Sequence, residues 1–198
     1  MALLYIDQIN PQLQQAFTNK VNDTAAYLGI RPEWLMQVMY AESRLNPQAQ
    51  NRSRIDKHLI AAGLLQWTKA SGLIGAPASV LSMGALEQLD HVKNYFAPYR
   101  GRLNSYFDVY LATFFPGAIG KNDNYVFESK KYSSKLIASQ NPAVNINKDG
   151  GITMAEFKQY VLNSVPKKVK QFIFSPKDIA VAAGISGVAV AAFFFSLI

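Results

Sequence analysis

A segment bounded by two prolines, Pro32 and Pro47, constrains the folding of this chain more than any other feature. Pro32 suits the first turn of a helix, and Pro47 prevents that helix from continuing far. Between them, apolar residues recur at spacings of three and four, which places them on one helix face. These residues are Leu35, Val38, Met39 and Leu45. The pattern therefore predicts an amphipathic helix that carries one carboxyl group, Glu42, on its apolar face.

Glu42 is a candidate acid catalyst. A carboxyl group among apolar side chains loses hydration, so its neutral, protonated form is favoured. A carboxylic acid that keeps its proton near neutral pH can donate that proton to a leaving oxygen. The alternative interpretation is structural, with the carboxylate at the helix end reaching solvent or pairing with Arg44.

The residues that begin at Glu42 carry a resemblance to a known family. They read Glu42-Ser43-Arg44-Leu45-Asn46-Pro47-Gln48-Ala49. This run resembles the Glu-Ser-x-x-Asn-Pro-x-Ala motif of soluble lytic transglycosylases, which are lysozyme-like enzymes that cleave peptidoglycan. The second motif of that family, Gly-Leu-x-Gln, resembles Gly63-Leu64-Leu65-Gln66. The resemblance covers roughly residues 32–120 and extends to the virion-associated transglycosylases of bacteriophages.

The third motif of the family, Ala-Tyr-Asn-x-Gly, matches this chain only in part. The nearest match is Thr113-Phe114-Phe115-Pro116-Gly117, with Phe at both the Tyr and the Asn position. The resemblance implies that Tyr110, one helical turn earlier, supplies the missing hydroxyl.

The resemblance also implies a role for the other matching residues. Glu42 would be the single catalytic acid and base, and Ser43 would orient Glu42 or the sugar. Gly63 would line the substrate groove by permitting close backbone approach, and Gln66 would hydrogen-bond the sugar. The implied substrate is the bond between N-acetylmuramic acid and N-acetylglucosamine in the glycan strands of peptidoglycan. The implied product is a 1,6-anhydro sugar, formed without water and without a cofactor.

Two other functions stay open. One is a muramidase, in which a water held in the groove replaces the muramic 6-hydroxyl; the nearest second acid is Asp56, in a polar loop over residues 46–57. The other is a catalytically inactive lysozyme-like structural protein of a membrane-containing virion, which the altered third motif makes possible.

Trp67 and Tyr95 could stack on sugar rings or pack in the core.

Residues 145–156 match the pattern of a calcium-binding EF-hand loop. Oxygen-bearing side chains stand at positions one, three and five, Gly150 at six makes the sharp turn, and the final Glu can bind through both oxygens. The predicted ligands are Asn145, Asn147, Asp149, Gly151 through its carbonyl, Thr153 directly or through water, and Glu156. Only two of them are carboxylates, so we expect weak binding of Ca²⁺ in a structural role. The alternative is a turn that keeps its shape without metal.

The last stretch of the sequence, 179–198, is an unbroken run of apolar and small residues, long enough to cross a lipid bilayer. The lysines before it would hold the large domain on the cytoplasmic side, and no export signal precedes that domain. A peptidoglycan-cleaving enzyme with this anchor would need delivery from outside. We therefore expect a virion protein, at the internal membrane or the capsid of a phage and beside other virion proteins. It would act on the periplasmic cell wall during infection or lysis.

The sequence as a whole predicts a mainly α protein with four parts. They are a lysozyme-like transglycosylase domain (1–140), an EF-hand-like loop and helix (141–165), a basic linker (166–178) and a transmembrane helix (179–198). The net charge of +7 favours an anionic partner, namely the cell-wall polymer, acidic lipid or nucleic acid. Nucleic acid is not expected, because no arginine-rich run or nucleic-acid-binding motif occurs. The sequence contains no cysteine, which excludes disulfides and thiolate catalysis.

Overall fold

A computed structural model describes residues 2–69, 77–176 and 178–179. The described part is mainly helical, which confirms the predicted fold class at that level. The chain divides into two compact units, the first ending at Asn104 and the second beginning at Ser105. This division lies inside the range 1–140 that the sequence analysis treats as one domain.

The first unit combines four α-helices with a small sheet. The helices are α1 (Gln14–Leu28), α2 (Pro32–Ser43), α3 (Pro77–Val80) and α4 (Ala85–Phe96). The strands are β1 (Gln50–Arg52), β2 (Leu59–Ala62) and β3 (Trp67–Thr68). They form an antiparallel sheet in the order β1-β2-β3, in which Gln50 pairs with Ala62 and Ala62 pairs in turn with Trp67. Short 3₁₀ turns occur at Ile6–Gln8, Pro11–Leu13 and Ala97–Tyr99.

The predicted helix between the two prolines is α2, and its ends follow from local chemistry. Pro32 occupies the first turn, where no intrahelical N–H bond is lost. The helix ends because Arg44 and Leu45 adopt left-handed conformations, with φ of 57° and 60°. The Arg44 N–H bonds back to the carbonyls of Met39 and Tyr40, which caps the last turn.

The core of the first unit lies where α1 packs against α2 and α4. Apolar residues on the facing sides of these helices are almost fully buried. They are Phe17, Val21, Leu28, Leu35, Val38, Met39, Leu89, Val92 and Phe96. An ion pair between Lys20 and Asp90, with 2.7 Å between Nζ and Oδ2, also joins α1 to α4. It is exposed, so burial of the apolar faces supplies most of the stability.

One polar side chain is fully buried in this unit, and it joins three segments. Gln88, on the core face of α4, is 0% exposed. Its Oε1 accepts a hydrogen bond from the Leu64 N–H at 2.9 Å. Its Nε2 donates to the carbonyls of Pro47, Val80 and Met83 at 2.8, 3.1 and 3.2 Å. Gln88 therefore fixes the chain after α2, the turn before β3 and the end of α3 with one amide.

The second unit is organised around aromatic rings. Its helices are α5 (Tyr106–Phe114), α6 (Ser134–Gln140), α7 (Met154–Ser164) and α8 (Lys170–Ile173), with 3₁₀ turns at Pro116–Ala118 and Lys167–Val169. Phe157 of α7 is 0% exposed, and its ring centroid lies 5.3 Å from that of Phe114 on α5. The Phe127 ring packs 5.6 Å from Phe157 and stacks on Phe115 at 5.1 Å.

Across residues 2–69, 77–176 and 178–179, none of the helices has both the length and the apolar character needed to cross a membrane. The predicted membrane helix 179–198 lies outside the described residues except for Ile179. The structure therefore gives that helix no support, and it stays a prediction.

The central position of Gln88 predicts a large effect of its removal. We expect Gln88→Ala to lower the free energy of unfolding by about 3 kcal/mol, because the Leu64 N–H and several carbonyls lose their buried partner. Chemical denaturation would measure this loss. The matched control is Glu87→Ala on the exposed side of the same helix, which we expect to stay within about 0.5 kcal/mol of the parent. Equal stability of the two variants would contradict the assigned role of Gln88.

Candidate functional site

Glu42 stands in the last turn of α2 and is half-buried. The last carbonyl groups of a helix, beside which Glu42 stands, carry partial negative charge. The proposed alternative partner, Arg44, lies with its guanidinium carbon 4.6 Å from the centre of the Tyr40 ring. The Tyr40 ring in turn stacks on Tyr5 at 3.9 Å. Burial raises the pKa of Tyr5 to about 12, so the Tyr5 phenol is neutral at physiological pH.

Ser43 connects the end of α2 to the second motif. Its side chain is buried, and its Oγ lies 3.0 Å from the carbonyl oxygens of Met39 and Leu64. The hydroxyl thus contacts the backbone of α2, at Met39, and that of the second motif, at Leu64. The hydroxyl therefore anchors the end of α2, and its orienting role toward Glu42 or the sugar stays a prediction.

Gly63 allows the two motifs to pack closely. Its φ is +80°, and its N–H donates to the Ala49 carbonyl at 2.9 Å. A Cβ at this position would lie 2.3 Å from Cγ1 of Val80 and 2.7 Å from Oε1 of Gln88. The resemblance implied that the missing Cβ opens space for a substrate groove. In the structure that space is filled by protein side chains, so the glycine serves internal packing.

Gln66 folds back over the same turn. It is half-buried, with φ of +49°, and its Nε2 donates to the carbonyls of Gly63 at 3.1 Å and Ala49 at 3.4 Å. These bonds use the amide nitrogen and leave the amide oxygen for a ligand. The backbone of its own turn and of Ala49 sets the orientation of Gln66, and its role as a groove-lining residue stays a prediction.

The structure brings the first two motifs into one site. Three contacts join them: the Ser43 Oγ to the Leu64 carbonyl, the Gly63 N–H to the Ala49 carbonyl, and the Gln66 Nε2 to the same Ala49 carbonyl. The Asn-Pro step of the first motif makes the turn between them, since the Asn46 Oδ1 accepts from the Gln48 N–H at 2.9 Å.

Tyr95, which the sequence left open as a sugar contact or a core residue, also belongs to this neighbourhood. It projects from α4, is half-buried, and has its ring 5.3 Å from Phe96 in an edge-on arrangement. Burial raises the pKa of Tyr95, and the charges of Tyr99 and Glu42 raise it further. The phenol is therefore neutral and lies within the electrostatic field of Glu42. The helical spacing of α4 predicted a core position for Tyr95, and nothing in that spacing pointed toward Glu42.

Two aromatic residues considered as sugar contacts are packed inside the protein. Trp67, in β3, is 2% exposed and belongs to the core of the first unit. Tyr110 lies in the second unit, is 2% exposed, and packs against the rings of Tyr106 and Phe157 at 6.1 and 5.8 Å. The third-motif residue Phe114 shares that aromatic cluster. A substrate contact through Tyr110 stays a prediction, and its visible role is packing.

Asp56, the nearest candidate for a second catalytic acid, is exposed in the loop before β2. Hydrogen bonds from Ser53 and His58 lower the pKa of Asp56 to about 2. The His58 Nδ1 lies 2.5 Å from the Asp56 Oδ1. Asp56 is therefore a stable carboxylate that holds its own loop together, and it is not poised to donate a proton near neutral pH.

The predicted calcium ligands are gathered in one closed loop of the second unit. Glu156 is 5% exposed, and its carboxylate accepts from the N–H groups of Asn147 and Thr153. Asp149 accepts from the Gly151 N–H at 2.9 Å. Asn145 is 9% exposed, and its Oδ1 is buried without a hydrogen-bond partner. Within the described residues no group of three or more His, Cys, Asp or Glu side chains could hold a metal. Most of the oxygens that this loop offers belong to amide, hydroxyl and carbonyl groups.

Comparison with known proteins adds no further constraint. No protein-family model, no curated protein and no solved structure matches this chain.

The packing at Gly63 predicts that even the smallest side chain is poorly tolerated there. We expect Gly63→Ala to lower the free energy of unfolding by about 3 kcal/mol, because a left-handed backbone and a clash with Val80 add together. The control is Gly84→Ala, where a Cβ meets nothing within 4 Å. We expect that change to cost less than about 1 kcal/mol at the helix N-cap. Thermal or chemical unfolding of both variants would decide whether the constraint is local to Gly63.

Proposed function

We propose that this chain is a peptidoglycan lytic transglycosylase of lysozyme-like fold, with Glu42 as its single catalytic acid and base. The observation that carries the proposal is the set of bonds that joins the motif of Glu42 to the Gly63–Gln66 turn. The β1–β2 hairpin, in which Gln50 pairs with Ala62, brings the two motifs together, and the Ser43 and Gln66 side chains add hydrogen bonds across the junction.

The proposed reaction begins with proton donation. Protonated Glu42 donates to the glycosidic oxygen between N-acetylmuramic acid and N-acetylglucosamine, and the bond from that oxygen to the muramic anomeric carbon breaks. The resulting carboxylate accepts the proton of the muramic 6-hydroxyl as its oxygen bonds to the anomeric carbon. The product is a 1,6-anhydro ring, no water is consumed, and Glu42 returns to its starting state.

The surroundings of Glu42 suit both halves of this cycle. The carbonyl end of α2 and partial burial favour the neutral acid before cleavage. The neutral phenol of Tyr95 can then donate a hydrogen bond to the carboxylate or to the sugar. A single carboxyl group suffices because the attacking hydroxyl comes from the substrate, whereas hydrolysis by two acids needs a second carboxylate. Asp56 is engaged with His58 in an exposed loop.

The decisive experiment digests purified peptidoglycan and identifies the ends by mass spectrometry. We expect anhydro-muramic ends from the parent protein and at least about a 100-fold loss of rate for Glu42→Gln, since the amide cannot transfer a proton. The control is Glu33→Gln in the first turn of α2, which removes one charge from the same helix.

Each outcome of this digestion has a distinct meaning. Reducing ends without anhydro sugar would identify a muramidase and overturn the transglycosylase assignment. Near-normal cleavage by Glu42→Gln would remove Glu42 from the mechanism. No cleavage by the parent protein would favour the catalytically inactive structural protein of a virion.

We also propose that residues 179–198 anchor the chain in a lipid bilayer and that the protein acts from a phage particle. The apolar run and the lysines before it support this placement. After expression of the full chain in bacteria, we expect recovery in the membrane fraction that resists high salt and alkaline carbonate and yields to detergent. Release by salt alone would indicate electrostatic adsorption of a protein with net charge +7 and would contradict the anchor.

A further inference from the structure

We propose that residues 145–156 bind one Ca²⁺ ion and that the ion braces this loop against the segment 122–128. The inference concerns the second unit alone. It goes beyond the proposed glycan cleavage and does not depend on it. Four features of the loop carry the inference: an orphaned oxygen, a preset carboxylate, a fixed turn and a β-bridge to a neighbouring segment.

The orphaned oxygen is the Oδ1 of Asn145, at position one of the loop. This side chain is 9% exposed, and its oxygen is buried without a hydrogen-bond partner. A buried polar atom without a partner is uncommon in folded proteins, because it has lost its water and gained nothing in return. Position one of an EF-hand loop supplies a side-chain oxygen to the cation. A Ca²⁺ ion would therefore complete the environment of an atom that the protein leaves unsatisfied.

The carboxylate of Glu156, at position twelve, is already held in place. Its Oε1 accepts from the Asn147 N–H at 3.1 Å, and its Oε2 accepts from the Thr153 N–H and Oγ1 at 2.9 and 2.8 Å. Each carboxylate oxygen has two lone pairs, so Oε1 keeps one for a cation. Rotation of the Thr153 hydroxyl would free one on Oε2 and permit binding through both oxygens.

The turn between these two residues has the shape that the loop needs. Gly150 has φ of +89° and Lys148 has φ of +60°. The Asn147 Oδ1 accepts from the Asp149 N–H at 3.0 Å, and the Asp149 Oδ1 accepts from the Gly151 N–H at 2.9 Å. Side chains at positions three and five are thus oriented by the loop's own backbone, and cation binding would require little rearrangement.

A neighbouring segment occupies the place that a second EF-hand would take. Val126 and Thr153 form an antiparallel β-bridge, and the Phe127 N–H donates to the Ile152 carbonyl at 2.8 Å. The Asp123 carbonyl accepts from the Ala155 N–H at 3.0 Å, and the Asp123 carboxylate pairs with Lys158 at 2.6 Å. The segment 122–128 therefore holds the loop in place without an ion. An ion would strengthen this geometry and would not open the helices as in a calcium sensor.

The charges of the loop set the expected affinity. Asp149 and Glu156 are its two carboxylates, and Lys148 brings an opposing charge between the ligands. Fewer carboxylates weaken binding, so we expect a dissociation constant on the order of 10⁻⁴ M. Selectivity should favour Ca²⁺ over Mg²⁺, because many neutral oxygens in a flexible arrangement suit the larger ion.

The first test uses the full chain in detergent with CaCl₂ or MgCl₂ as the only divalent salt. We expect saturable heat in calorimetry with CaCl₂ and a rise in Tm of about 5 °C at saturation. Glu156→Gln should abolish both calcium-dependent effects. It should also lower Tm without calcium, because its NH₂ group faces an N–H donor of Asn147 or Thr153, so the comparison is the change in Tm on adding CaCl₂. The control, Glu128→Gln, removes an exposed carboxylate from the same unit and should leave binding unchanged. Absence of binding by the parent, or equal binding by Glu156→Gln, would overturn the site.

A second variant distinguishes a metal site from a metal-free turn by the effect of CaCl₂ on its Tm. Asn145→Asp places a buried charge at position one. Without calcium we expect a lower Tm, because the carboxylate is desolvated and has no partner. With calcium we expect affinity about 10-fold higher than that of the parent and recovery of Tm above its metal-free value. A lower Tm that CaCl₂ does not restore would show that the loop is a structural turn and would refute the proposal.

Discussion

The first unit depends on one amide group that is completely removed from water. Gln88 must satisfy both ends of its side chain inside a low-dielectric core, where an unpaired polar atom is costly. It does so by bonding to Leu64, Pro47, Val80 and Met83. Three of these partners, Leu64, Pro47 and Met83, lie in turns, and Val80 ends the short helix α3, so the amide joins segments that no sheet ladder connects. The turn containing Gly63 is positioned by this network before any substrate is considered.

Sequence patterns predicted α2 well and the segments that follow it poorly. α2 was visible because Pro32 and Pro47 delimit it and its apolar residues follow a helical period. The strands were not visible because β1, β2 and β3 are short and β3 contains only Trp67 and Thr68. Such short strands are specified by long-range pairing, here of Ala61 and Ala62 with β3. The polar segment predicted as a loop over 46–57 contains β1 for the same reason.

The residues of the candidate site could be predicted from the sequence where they belong to a motif. They could not be predicted where only the tertiary fold brings them to the site. Glu42, Ser43, Gly63 and Gln66 follow from two short motifs, and the structure joins those motifs. Gln88 was missed although a glutamine at a core position of α4 was a readable signal. Tyr95 could not be assigned from its own helix, because its relation to Glu42 depends on how α4 and α2 are placed in the same unit.

Two buried polar side-chain atoms of the described residues lack hydrogen-bond partners, in contrast to the amide of Gln88. Among the described residues, buried side-chain atoms without a hydrogen-bond partner are the Nε1 of Trp67 and the Oδ1 of Asn145. Each costs about 1–3 kcal/mol relative to a satisfied group. The two atoms lie in different units, Trp67 in the core of the first and Asn145 at the start of the EF-hand-like loop of the second. A buried unpaired atom calls for a physical explanation, and at Asn145 the loop pattern supplies one, because position one of such a loop offers its oxygen to a cation.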